Sequence, residues 1–491
     1  MCGIFALLYN SHSNPNIKYK VIDLFNKIKG RGPEQSNIYN DIMKKYSFGF
    51  HRLAINGLDL TSGQPLCYEK CILICNGEIY NYKQLYQKYK FERNTNSDCE
   101  IIIHLYRKIG LMRTLQELDG VFAIALLDEL DNKIYIARDR FGVRPLFMAR
   151  YNDRYREDPW DDNPLMVRYN CFCFASESKS LIGMDDEITQ VQPGVYLEYE
   201  MMDMGEDFFW KFNKQEHYYT LPTEETIYNK NEALKNIQLC LSEAVYKRVE
   251  ATDRPVACLL SGGLDSSLVT ALVSKSYKGV LETYSIGFKG SEDLKYAKIV
   301  ADYIGSKHTN IEVTEQDFLD AIPEVIRVIE SYDTTTVRAS VGNYLVGKYI
   351  KEHSNAKVIF NGDGSDEVAG GYLYLHKAPN SQEFDIECRR LVNNIHFFDV
   401  LRSDRTISCH GLETRTPFLD KDFVTNYFKI DKNIRCHSGS TCEKYLIRKA
   451  FEGILPDEII WRTKEAFSDG VSGDKKAWFE VINDYLLEQY P

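Results

Sequence analysis

Beyond about residue 224, strand-like and helix-like runs take turns, and few architectures accommodate that order. A helical stretch from Glu232 to Val249 leads to the strand PVACLL, the glycine loop SGGLDSS, the helix SSLVTALVSKS, the strand LETYSIGF and the helix DLKYAKIVADYIG. The strand KHTNIEV, further helices and the strand AKVIFNG follow. Strands alternating with helices imply an α/β doubly wound parallel sheet with helices on its faces. Ligands of such sheets bind beyond the carboxyl ends of the strands, so the loops after PVACLL, TYSIGF and KVIF are expected to share one crevice.

The first 200 residues follow another grammar. GIFALLY, CILICNGE, GVFAIALLD, KIYIARD and FCFASES are short β-rich runs separated by turn residues, with ELDN joining two of them as a hairpin would. Ile17, Val21, Leu24, Phe25 and Ile28 fall at helical spacing, as does Glu100 to Lys108. The pattern predicts an α+β domain of antiparallel strands over residues 2–200, a linker over 201–223 and the parallel-sheet domain over 224–491. The polar stretch from Tyr151 to Asn170 reads as a surface excursion.

Composition narrows the function classes. No run of about 18 apolar residues is present to span a bilayer, and 60 Lys and Arg against 71 Asp and Glu give a formal charge of −11, which disfavours nucleic acid as a partner. Thirteen irregularly spaced cysteines fit reduced thiols of a cytoplasmic protein better than a disulfide framework, and the apolar run after Met1 has no basic segment before it, so no signal peptide is expected. Cys67, Cys71 and Cys75 are evenly spaced but strand-like, and are expected in the core rather than at zinc.

Cys2 follows the initiator Met1, and removal of Met1 would leave a cysteine with a free α-amine. That amine, with a pKa of about 7.7 to 8.0, can serve as base for its own thiol. Alone the residue is weak evidence, but RGPEQS, HRLAI, CNGEIYN and NSDCE follow within the first hundred residues. With CGIFALL, these motifs resemble the glutaminase domain of the class II glutamine amidotransferases, whose fold is an α+β N-terminal nucleophile hydrolase sandwich. The resemblance implies that Cys2 attacks the glutamine amide while Asn76 and Gly77 donate to the oxyanion. It also implies a glutamine pocket from Arg52, Leu53, Ala54, Ile55, Asn56, Asn76, Gly77, Glu78 and Asp98, with Arg52 on the α-carboxylate and Asp98 on the α-ammonium.

SGGLDSS lacks the Gly-Lys-Ser/Thr of a Walker loop, yet a glycine turn at a helix N-terminus still presents N–H groups to an anion. A capped strand-to-helix turn would explain Asp265 and Ser266 but not two consecutive glycines. The loop resembles the PP-loop of ATP pyrophosphatases. ATP is then expected against Leu259, Ser261, Gly262, Gly263, Asp265, Ser266, Ile286, Asn361 and Gly362, with Mg²⁺ near Asp265 and Asp366. Asp363, Asp366 and Glu367 cluster in NGDGSDE, where clustered carboxylates are costly without a cation.

A glutaminase followed by a PP-loop domain, with ESYDTTTVRAS, HGLETRTPFLD and WRTKEAFSDGV downstream, resembles the glutamine-hydrolysing asparagine synthetase family. The resemblance implies glutamine, aspartate and ATP as substrates, β-aspartyl-AMP as intermediate, and a homodimer. In that context Thr335 and Arg338 can donate to a phosphate or to the acyl-adenylate and Lys464 can neutralise the leaving diphosphate, though each taken alone reads equally as a surface residue. One departure stands out. The family pattern Ser-Gly-Glu-Gly-Ser-Asp-Glu is here Asn361-Gly362-Asp363-Gly364-Ser365-Asp366-Glu367. The family glutamate assists ammonia attack, and Asp363 is one methylene shorter, about 1 Å less reach, a displacement that can cost ~10²-fold in rate. On reach alone synthesis is slower and Asp363→Glu speeds it. Two rivals remain: a β-lactam-synthetase-like cyclase, which would lack the nucleophilic Cys2, and a sensor or glutaminase with a weak synthetase site, which would form no AMP. A phosphoribosyl amidotransferase would lack SGGLDSS.

Overall fold

The computed structural model describes residues 1–11, 15–41, 45–151, 171–184, 187–205, 207–437, 442–463 and 478–489. The chain divides into two units, Met1–Thr220 and Leu221–Pro491.

The first unit holds two six-stranded antiparallel sheets. Strands β1 (Gly3–Leu8), β2 (Gln35–Asn40), β3 (Tyr46–Arg52), β8 (Phe147–Tyr151), β9 (Cys171–Ala175) and β10 (Ile188–Gln190) order as β10-β8-β9-β1-β3-β2. Strands β4 (Leu66–Tyr68), β5 (Cys71–Ile79), β6 (Gly120–Asp128), β7 (Lys133–Arg138), β11 (Val195–Asp203) and β12 (Phe208–His217) order as β12-β11-β7-β6-β5-β4. Side chains alternate across a strand, and the two faces of β5 go to different cores. Ile72 and Ile74 join Ile4, Ala6, Leu8, Phe48 and Phe50 between the sheets. Helix α1 (Pro15–Asn26) follows β1 in the chain, and Leu73 and Cys75 face helices α2 (Tyr82–Tyr89), α3 (Ile101–Ile109) and α4 (Leu111–Glu117). Burial on both faces explains why CILIC is a continuous apolar run rather than an alternating one. The arrangement is the expected α+β sandwich.

Two expectations need correction. The segment 201–223 is not simply a linker: β12 pairs with β11 from Phe208 to His217, and the division between units falls after Thr220. Its aromatic residues are strand residues, with Trp210 buried between the sheets. Cys71 and Cys75 are buried but Cys67 is exposed. Most of the stretch expected as a surface excursion, residues 152–170, lies outside the described residues.

The second unit is built on a five-stranded, all-parallel sheet ordered β15-β14-β13-β16-β17. These are β13 (Val256–Leu259), β14 (Glu282–Phe288), β15 (Lys307–Val313), β16 (Val358–Phe360) and β17 (Glu413–Arg415). Helices α5 (Lys230–Glu250), α6 (Leu264–Ser276) and α7 (Glu292–Ile304) alternate with the early strands. Helices α8 (Glu315–Ile329), α9 (Thr334–His353), α10 (Ser365–Ala369), α11 (Ser381–Asn394) and α12 (Asp399–Ser408) follow. Val325 and Val328 of α8, Val341 of α9 and Ile407 of α12 pack with Ile286 and Ile359 on one face of the sheet. The strand order reverses between β13 and β16, which puts the topological switch point at the glycine loop.

Candidate functional site

In the first unit the residues at one end of β5 answer to the register of its pairing with β6. Gly77 lies opposite Phe122, whose N–H and C=O both bond to Asp139, so Gly77 and Phe122 do not bond each other. Backbone N–H groups of Cys75, Gly77 and Ile79 therefore point away from β6, toward the sheet edge. There Gln64 pairs with both backbone groups of Cys75 at 2.6 and 3.1 Å, and the Asp98 carboxylate accepts from Ile79 N at 2.6 Å. Gly77 must be glycine for a steric reason: a Cβ would sit 2.3 Å from the Val121 carbonyl oxygen.

Asn76 continues the inter-sheet face of Ile72 and Ile74, the face against which Cys2 packs. It is 1% exposed, and its Nδ2 has no hydrogen-bond partner among the described residues. A buried donor left open costs about 1–3 kcal/mol, so its place here calls for an acceptor that arrives with a ligand. Cys2 is half-buried, with its thiol 3.5 Å from the Leu53 carbonyl, and Arg31 holds the Cys2 carbonyl at 2.9 Å while bonding Glu177 at 3.0 Å. Met1 is fully buried.

Arg52 donates to the carbonyls of Asp59 (2.8 Å) and Gly57 and to Gln35 Oε1 (3.5 Å). These accept three of the five N–H groups of a guanidinium and leave two for a carboxylate. Leu53, Ala54 and Ile55 are buried, with Ala54 N bonded to Glu34 at 2.8 Å, and Asn56 donates to the buried Glu78. The residues expected to bind glutamine thus come from the end of β3 and the segment after it, the end of β5 and the 3-10 turn Asp98–Glu100.

In the second unit a cavity of about 730 Å³ opens at the carboxyl ends of β13, β14 and β16. Leu259, Ser261, Gly263, Asp265, Ser266, Ile286, Thr335, Arg338, Asn361, Gly362, Asp363 and Asp366 all line it. Gly262 does not line it; its φ of +77° and the approach of α7, 2.5 Å from a Cβ to Ala297 N, make it the turn that lets the loop pass. Ser266 Oγ accepts from Ser261 N at 3.1 Å, so the loop is closed by its own hydroxyl. Gly362 lies against the start of α6, where a Cβ would be 2.8 Å from Asp265 Cβ. Lys464 lies outside the described residues.

The carboxylates are organised by a residue that sequence reasoning missed. Lys444 is buried, 2.8 Å from Asp366 and also paired to Asp265, whose other oxygen accepts from Ser365 at 2.7 Å. Burial works against its charge, but Asp265 and Asp366 outweigh burial and hold its pKa above the ordinary lysine value. Lys444 sits in CEKYLIRKA, which carries no motif signal, and only its positive φ marks the position as special. Asp399, Arg402 and Tyr372 were likewise not anticipated. Arg402 pairs with Asp399 at 2.6 Å, and the Tyr372 hydroxyl donates to Glu367, whose carboxyl is raised by burial and by the nearby Asp399 and Asp366. Among the described residues no three His, Cys, Asp or Glu side chains converge as a metal cage. Two carboxylates facing one charge fit a Mg²⁺ that arrives on phosphates, since Mg²⁺ commonly takes one or two carboxylates and substrate oxygens.

An amide donor held open on the face against which the Cys2 thiol packs suits acyl transfer through an oxyanion, and a glycine loop facing carboxylates and lysine suits phosphates. These define a class: an N-terminal-nucleophile amidotransferase joined to a nucleotide-dependent synthetase. Residues 1–226 match the glutamine amidotransferase domain family, and residues 236–387 and 377–489 match the asparagine synthase family. The chain is 40% identical to the glutamine-hydrolysing asparagine synthetase of Mus musculus over 519 aligned positions, covering 100% of this chain and 88% of that one. The Homo sapiens enzyme of that name is 39% identical and the Gallus gallus one 40%, each with the same coverage. The chain belongs to the glutamine-hydrolysing asparagine synthetase family.

Proposed function

We propose that this chain makes asparagine from aspartate and ATP with nitrogen drawn from glutamine, releasing glutamate, AMP and diphosphate. The observation that carries the reading is the 730 Å³ cavity, where a glycine loop at a helix N-terminus, paired carboxylates and a buried lysine meet at the switch point of a parallel sheet.

In the first unit Cys2, freed of Met1, attacks the glutamine side-chain carbonyl. The α-amine takes the thiol proton, Asn76 Nδ2 and the Gly77 N–H receive the oxyanion, and as the oxyanion collapses the α-ammonium hands that proton to the nitrogen, which leaves as ammonia when the C–N bond breaks. Water then cleaves the thioester to glutamate. Arg52 holds the α-carboxylate with its two remaining N–H groups, and Asp98 with Glu78 takes the α-ammonium.

In the second unit the loop Ser261–Ser266 cradles the phosphates of ATP, with adenine between Leu259 and Ile286. Asp265 and Asp366 would hold a Mg²⁺ brought by the nucleotide, and the ion would supply charge neutralisation to the phosphates. Lys444, Thr335, Arg338 and Lys464 stabilise the diphosphate as the aspartate β-carboxylate attacks the α-phosphate. Ammonia attacks the acyl carbon of β-aspartyl-AMP, the bond to AMP breaks, and the nitrogen gives up a proton. Asp363 serves that step: burial pushes its carboxyl above the usual carboxylate range, against the pull of Arg402, which suits a proton acceptor. The protein works in the cytoplasm as a homodimer.

The test is to incubate the chain with glutamine, aspartate and MgATP and to measure glutamate, asparagine, AMP and diphosphate. The expected result is all four products, with asparagine and AMP equimolar. Glutamate without AMP would reduce the protein to a glutaminase or sensor.

A further inference from the structure

We propose that Asn361 is a positioning residue for Asp363 and that the two form a matched pair, an inference that rests on the reading of Asp363 as the residue serving ammonia attack. Asn361 is buried at the end of β16, its backbone N–H bonded to the Arg415 carbonyl of β17 at 3.1 Å. Its Nδ2 donates to Asp363 Oδ2 at 2.6 Å and to the hydroxyl of Ser403, on α12, at 2.7 Å. Its Oδ1 in turn accepts from the Asp363 backbone N–H at 3.4 Å. Both amide hydrogens are thereby engaged, and turning the amide over would set an oxygen against the carboxylate, so its orientation is determined. Between them, Gly362 is pressed against the start of α6. The Asp363 carboxylate is therefore located relative to both the glycine loop and α12.

The family pattern has serine and glutamate at these two places. Here the side chain at 361 is one bond longer and the side chain at 363 one methylene shorter. The longer neighbour holds the shorter carboxylate, and a serine hydroxyl at 361 would stop short of the reach that Asn361 has to both partners. Reach alone and a matched pair part on one variant. If reach were all, Asp363→Glu would quicken synthesis. In a matched pair it slows synthesis, because the longer carboxylate meets the Asn361 amide.

The experiment measures ammonia-dependent asparagine synthesis, and aspartate-dependent ATP–diphosphate exchange beside it, in the full-length chain and in Asn361→Ser, Asn361→Asp, Asp363→Glu, Asp363→Ala and the double variant Asn361→Ser with Asp363→Glu. Each single change at 361 or 363 is expected to lower the ratio of synthesis to exchange by ~10- to 100-fold. The double variant is expected to regain a ratio within about threefold of the parent, a non-additivity characteristic of coupled neighbours. Asn361→Asp keeps the volume and removes the donor, so it loses the ratio even where Asn361→Ser packs poorly. Faster synthesis by Asp363→Glu alone, a parental ratio in Asn361→Asp, or losses that multiply in the double variant would each overturn the pairing. If losses multiply while Asp363→Ala is inactive in synthesis, the reading of Asp363 survives and only the pairing falls. Parental synthesis by Asp363→Ala would instead remove Asp363 from the step altogether.

Discussion

Asn76 shows how a single residue can be costly to the fold and useful to the chemistry. Its buried Nδ2 lacks a partner among the described residues, so Asn76→Ala should lower glutamine-dependent glutamate release by ~10²- to 10³-fold. Because the change removes an unsatisfied donor, the melting temperature should hold or rise. A stability loss in step with activity would mean that Asn76 is structural. His410 acts in the opposite sense. It is buried and donates to the Tyr344 carbonyl at 3.0 Å, and burial, reinforced by Lys351, pushes its pKa from 6.5 down to about 4 despite that bond. The unfolded chain binds a proton as pH falls through 6.5 while the folded chain does not until about 4. Its contribution is therefore fully present above 6.5 and declines below it, by up to about 3 kcal/mol. Denaturant titrations at pH 7.5 and 5 should show this loss, and His410→Gln should lessen it. At this scale the motif residues were legible, because Cys2, Asn76, Arg52 and Asp265 sit in local patterns. Lys444 was not: it reaches Asp265 across 179 positions of sequence, and no local pattern encodes that distance.

Among the elements, the glycine loop depends on contacts that only packing supplies. Gly262 has a left-handed φ, and α7 occupies the space a Cβ there would need. Gly262→Ala should therefore lower ammonia-dependent synthesis more than about tenfold, equivalent to only ~1.4 kcal/mol of misplacement, while leaving glutamine hydrolysis in place. Product analysis of the two reactions separates these effects. The start of the helix Lys421–Phe428 is tied to α5 through Asp420, which is buried and paired at 2.6 Å with both Lys247 and Arg248. Although burial opposes its ionisation, the two cations hold the Asp420 carboxyl down at about 2. Asp420→Asn should cost about 3 kcal/mol in unfolding free energy, because it removes the carboxylate charge that faces the buried Arg248. The long apolar strands and amphipathic helices were readable from periodicity. Strand β17 was not, since Glu413–Arg415 is three polar residues and is a strand because β16 pairs with it and Arg415 bonds to Glu413 and the Ala251 carbonyl. Likewise β12 reads as polar because much of its side-chain surface is exposed.

For the molecule as a whole, the proposal assigns nitrogen release and acyl activation to separate units. Cys2→Ala should then abolish glutamine-dependent asparagine formation and spare the ammonia-dependent reaction, measured as asparagine with each nitrogen source. Loss of both reactions would contradict the separation. What residue order determined is the class of each unit: short β-rich runs make a sandwich, and alternating strands and helices make a parallel sheet, because backbone periodicity is a local property. It also marked the two chemistries, because a glycine turn and an N-terminal thiol announce themselves in a few adjacent residues. The tertiary structure alone decided how the cavity's charges are paired. Lys444 lies between two carboxylates, Arg402 against Asp399, and Asn361 between Asp363 and Ser403. Electrostatics and hydrogen bonding act through space, so their partners are set by which chain segments the packed sheet brings together.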